Sequence, residues 1–156
     1  MPIDETAGSH RSKGDSRTSP YETPDHALLG RISVPSSLEA PRVARAAVTQ
    51  WMPASLPRTL LRDAQLLVSE LVTNSVRHAG AAASAPIIVT AGTSDGTLWF
   101  DVADIGERGT VSRRLPEGTG GMGLNMVHAA AARWGTSGGD GTHVWFELAL
   151  PSALTG

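Results

Sequence analysis

Four short stretches carry residue types able to do chemistry. In SELVTNSVRHAG, residues 69–80, Glu70 and Asn74 stand four positions apart, which puts them on one side of a helix, a turn from each other. A carboxylate there can take a proton as a general base, and an amide carbonyl can ligate a hard cation such as Mg2+. The plain alternative is two polar residues on a solvated face, their mutual contact contributing about 0.2–0.5 kcal/mol. Arg77 and His78 extend the stripe toward the helix end, where positive charge suits the helix dipole. No second histidine or carboxylate stands at metal spacing from His78, so a zinc site is not indicated.

In DVADIGERG an apolar strand ends at Asp104, with Gly106 two residues on. A carboxylate at a strand end can accept a hydrogen bond from an exocyclic amine, and a glycine beside it lets a flat ring approach the backbone. The alternative is an ordinary turn. In EGTGGMGLNMV, Gly118, Gly120, Gly121 and Gly123 lead into a helical pattern; the exposed N–H groups of such a segment suit phosphate oxygens, and a ligand-free hinge is the alternative. Gly118, Gly120 and Gly123 satisfy G-x-G-x-x-G, but TVSRRLPE before them is no buried strand, so a dinucleotide fold is not supported. A P-loop is absent too. In DGTHVWFELAL, Thr142 opens a strand after a glycine turn, where its hydroxyl can reach a phosphate or serve β-propensity alone.

The elements that must position these residues follow from periodicity. Residues 1–27 are rich in Ser, Thr, Pro, Gly and charge, a composition that predicts a disordered tail. LLGRISV reads as a strand closed by Pro35, and a serine cap is expected before an Ala-rich helix with Pro41 early in it. Leu60, Leu61, Ala64, Leu67, Val68, Leu71, Val72, Ser75 and Val76 follow the helical period and predict a helix ending near Gly80. PIIVTAG and TLWFDVAD read as a hairpin joined through TSDG. Residues 105–123 are a long, weakly apolar segment of the kind that is functional or mobile. LNMVHAAAARW reads as a third helix, with a short strand at residues 134–136 and a last strand in THVWFELAL. The expected fold is a two-layer α+β sandwich: a mixed, largely antiparallel sheet with about three helices on one face. The domain is expected to span residues 28–151, with 152–156 as a tail.

The chain has 156 residues, 40% of them hydrophobic, enough for one domain with a core. Thirteen basic and fifteen acidic residues give a net charge of -2, which argues against direct nucleic-acid binding and against a membrane partner. The absence of cysteine removes disulfides, thiolate zinc sites and thiol nucleophiles. Without an apolar run of about 18–20 residues, a soluble, cytoplasmic protein is expected.

In this order, E-x-x-x-N on a helix, D-x-G after a strand, G-x-G before a helix and G-T on the last strand resemble the GHKL ATPase and kinase superfamily, whose fold is the Bergerat fold. ELVTNSVRHA, GGMGLNMVHAAAARWG and GTHVWFEL resemble more closely the single-domain anti-sigma-factor serine/threonine kinases of bacteria. The resemblance implies ATP and Mg2+ as cofactors, Glu70 as general base and Asn74 as the Mg2+ ligand. It implies nucleotide contacts from Arg77, His78, Asp104, Gly106, Gly118, Thr119, Gly120, Gly121, Met122, Gly123, Leu124 and Thr142, with Asp104 reading adenine and residues 105–123 forming a flexible ATP lid. Met122 departs from the pattern, because many relatives carry an arginine there. The implied partners are a STAS-type anti-anti-sigma protein and a sigma factor, with a homodimer possible. The implied function is phosphorylation of the STAS partner; the alternative is an ATP-gated binding module without catalysis.

Overall fold

The computed structural model describes residues 27–78, 86–104, 122–138 and 142–154. In chain order the elements are β1 (Ala27–Val34), α1 (Ala40–Trp51), α2 (Arg58–His78), β2 (Ile87–Ser94), β3 (Thr97–Asp104), α3 (Met122–Ala130), β4 (Arg133–Gly138) and β5 (Thr142–Ala149). A single 3-10 turn, Ser152–Leu154, follows. The sheet order is β1-β2-β3-β5-β4, and every described pairing is antiparallel. The architecture is the expected α+β sandwich, with no parallel pair among the described strands.

Local chemistry explains most element ends. Pro41 lies in the first turn of α1, where its missing N–H breaks no helical bond. The expected serine cap is not formed. Glu39 holds the cap position without a side-chain bond, and Ser37 instead accepts the Ala40 N–H through its backbone carbonyl at 3.1 Å. With the proline fixing the helix start, the serines stand too early to reach the first open N–H groups. The β2–β3 hairpin turns on Asp95 and Gly96, at φ 40° and 78°, the pair of left-handed residues a two-residue turn requires.

The third helix is shorter than the sequence predicts. It ends at Ala130, Ala131 N–H closes on the Val127 carbonyl at 2.8 Å, and Ala132 N–H donates to Glu147 of β5 at 2.8 Å. Arg133 and Trp134 therefore belong to β4, with Trp134 opposite Phe146. Pairing with β5 outweighs the modest helix preference of the alanines.

The pleat separates two faces. Leu98, Phe100 and Val102 of β3 join Val89, Ala91, Phe146 and Leu148 in one core with Ala44 and Val48 of α1 and Leu67, Leu71 and Val72 of α2. Phe100 and Phe146 stack at its centre, 4.9 Å between centroids and 19° between planes. Trp99, Asp101 and Ala103 form the opposite series and are also buried. Glycine makes this possible: a Cβ on Gly92 would meet the Trp99 ring and the Ala27 carbonyl, and one on Gly135 would lie 2.7 Å from the Trp145 ring. The two indoles thus lie across glycines and cover the outer face. Gly92→Ala should lower the unfolding free energy by about 1–3 kcal/mol, read from urea melts, because backbone borders the added methyl on one side and a buried ring on the other.

Candidate functional site

The strand register brings two of the sequence motifs together. Asp104 is opposite Ile87 on β2 and Thr142 on β5, Ile87 is opposite Val34, and Thr142 is opposite Gly138. One end of the sheet is therefore the row Val34, Ile87, Asp104, Thr142, Gly138. Asp104 of the D-x-G motif and Thr142 of the G-T motif, separated by 38 positions in the chain (142 − 104), become the two members of one rung. Asp104 continues the series Leu98, Phe100, Val102, so it belongs to the face on which the helices pack. It is half-buried, as expected of a polar group where core gives way to solvent.

Helix α2 packs on the same face of the sheet. Ala64, Leu67, Val68, Leu71 and Val72 are buried as the periodicity predicts, and Glu70 and Asn74 are half-buried at the margin of that stripe. Ser69 and Thr73 sit among them, but their hydroxyls donate to the carbonyls of Leu66 and Ser69 at 2.9 and 2.7 Å. Those groups are committed to the helix. Glu70 and Asn74, by contrast, make no side-chain hydrogen bond or ion pair to another described residue. Arg77 is exposed and His78 is the last residue of α2. The helix packs against β3 and against α3, whose Val127 is fully buried in the shared core.

Met122, Gly123 and Leu124 form the first turn of α3, where backbone N–H groups lack helical partners. Gly106, Gly118, Thr119, Gly120 and Gly121, and with them the expected lid apart from residues 122 and 123, lie outside the described residues.

The donor set fits Mg2+ better than a transition metal. Among the described residues no group of three or more His, Asp or Glu is gathered, so these residues form no protein-only cage. A cation held by the Asn74 carbonyl, phosphate oxygens and water matches the habit of Mg2+, which keeps much of its hydration. An open groove of about 340 Å³, lined by Ile32, Glu39, Arg42, Val43, Ala46, Ala47 and Gln50, touches none of these residues.

One polar pair escaped the sequence reading. Asp101 is buried on the outer face, and its Oδ2 lies 3.0 Å from Nδ1 of His143. The available signal was an acid within the apolar run TLWFDVAD, alternating out of phase with Phe100 and Val102. Its partner depends on register, which no local pattern displays.

An antiparallel sheet with helices on one face, an acid-ended strand opposite the start of the last strand, and E-x-x-x-N at the margin of a helix packed on that face fit a GHKL-type ATP-binding domain. A family model of the histidine kinase-like ATPase domain matches residues 34–148, and the chain belongs to that family. Domains of this class bind ATP, generally with Mg2+. No curated protein matches the chain. Among the described residues no helix is long and apolar enough to cross a membrane.

Proposed function

We propose that the chain is a protein serine/threonine kinase of the anti-sigma-factor type, which phosphorylates a STAS-type anti-anti-sigma partner with Mg-ATP and holds a sigma factor when that partner is not available. The observation that carries the reading is the state of Glu70: a half-buried carboxylate at the margin of α2, uncommitted to any other described side chain and one turn from Asn74. A structural carboxylate at a core edge would normally be paired or turned to solvent.

Each residue then has a distinct part. Asp104 accepts a hydrogen bond from the adenine amine and so fixes the base against the end of β3. Thr142, across the same rung, and the first turn of α3 offer donors to the phosphates. Asn74 would hold Mg2+ through its carbonyl oxygen, and the bound ion supplies neutralisation of phosphate charge. Glu70 takes the proton of the incoming serine or threonine hydroxyl as its oxygen bonds to the γ-phosphorus; the bond from that phosphorus to the β–γ bridging oxygen breaks and ADP leaves. Positioning and charge stabilisation carry most of such a transfer, and a base makes the hydroxyl a competent nucleophile.

The test is incubation of the protein with γ-labelled Mg-ATP and a STAS-type protein from the same genome. Label is expected on a serine or threonine of the STAS protein. Nucleotide binding with no transfer to any genomic STAS protein would overturn the kinase reading and leave an ATP-gated binding module.

A further inference from the structure

The Asp101–His143 pair bridges β3 and β5 beside the rung that carries Asp104 and Thr142. In register, His143 faces Ala103 and Asp101 faces Trp145, so the bond between them runs diagonally over two rungs of the ladder. It lies on the outer face, opposite the side Asp104 occupies. The Asp101 side chain is 7% exposed and that of His143 30%, and Asp101 Oδ1 is buried without a hydrogen bond to any described residue. A buried carboxylate with one of its oxygens unmatched leans heavily on its single partner. The interaction therefore resists splaying of the strands at the end where the site is built.

We propose that Asp101 and His143 are positioning residues for the nucleotide: their charged pair clamps the last rungs of β3 and β5, so nucleotide affinity is highest when His143 is protonated. The inference rests on the reading of Asp104 and Thr142 as nucleotide contacts. Neither member of the pair touches the ligand; both act through the strand ends.

The charge environment of His143 sets the direction. The hydrogen bond to Asp101 raises its pKa above 6.5 most strongly; burial opposes, the Asp101 charge adds to the rise, and Arg31 on β1 opposes. From β4, Arg133 is turned to Glu147 at 3.7 Å and to the Trp145 ring at 5.9 Å, and Glu147 stands four residues beyond His143 on the same face of β5. Because the folded pKa lies above the unfolded value, the pair stabilises the fold fully below about pH 6.5. That contribution is lost as pH climbs through the raised folded value. Affinity for nucleotide should fall over the same window.

The experiment titrates the full chain and its His143→Gln variant with a fluorescent ATP analogue and Mg2+ at about pH 6 and about pH 8.5, bracketing the histidine. Ionisation of the ligand's own phosphate is common to both proteins and cancels in their ratio. The wild type is expected to lose about five-fold more affinity than the variant across the interval, within the usual range of site coupling. By reciprocity, Mg-ATP should raise the His143 pKa, followed by NMR in the wild type, by about 0.7, the logarithm of that factor. Binding by both proteins with equal pH dependence, or a His143 pKa unmoved by Mg-ATP, would overturn the clamp while leaving the nucleotide site intact. Absence of binding in the wild type at both pH values would overturn the site itself, and the clamp with it.

Discussion

Under the proposed kinase reading, Glu70→Gln is expected to slow phosphoryl transfer to a STAS-type partner by about 10²- to 10⁴-fold, the usual contribution of a positioned general base, and to leave nucleotide binding in place. Glutamine preserves the shape of the side chain, so α2 should keep its packing through Leu67, Val68, Leu71 and Val72, all at most 2% exposed. What is lost is the proton acceptor. Asn74 remains one turn away, so the carbonyl proposed to bind the metal is untouched. The measurement is the initial rate of labelled phosphate incorporation, with binding followed in parallel on the same preparation. Transfer by the glutamine variant at the wild-type rate would show that the carboxylate is not the base and that the hydroxyl loses its proton elsewhere.

Phe100→Ala is expected to destabilise the domain by about 3–5 kcal/mol. Phe100 is fully buried, stacks on the fully buried Phe146, and lies on the central strand of the sheet. Truncation removes one of the two largest fully buried side chains, and the neighbours can only partly collapse into the gap. Domains of this kind have about 5–15 kcal/mol in total, so the variant should stand near the limit of folding at room temperature. A urea titration followed by far-UV circular dichroism reads the change. Loss of less than about 1 kcal/mol, the scale of a well-tolerated core swap, would mean that the centre of the core lies elsewhere.

How much of this was legible in the chain depended on whether the signal was local. The burial of Ala64, Leu67, Val68, Leu71 and Val72 follows from a 3.6-residue period, and the hairpin at Asp95–Gly96 from a dipeptide whose backbone preference matches the turn. Glu70 and Asn74 were placed at the helix margin by the same counting. The end of α3 was less legible because Ala131 and Ala132 are good helix formers; only the pull of β5 on Ala132, a contact with Glu147, stops the helix. The strand order, which inserts β5 between β3 and β4, is likewise a non-local choice. So is the rung shared by Asp104 and Thr142, and the Asp101–His143 bond that depends on it. Composition could not reveal either, because a shift of one residue would turn Asp104 away from the helices and expose Phe100.

Calorimetric titration of Mg-ATP into the wild type and into Asp104→Ala tests the central claim, that the end of β3 facing the helices is the nucleotide site, most directly. The wild type should give a saturable one-to-one isotherm. The variant, lacking the proposed acceptor for the base, should bind about ten- to a hundred-fold more weakly, the equivalent of a hydrogen bond to a charged group. Equal affinity in the two proteins, or no heat of binding in the wild type, would contradict the account.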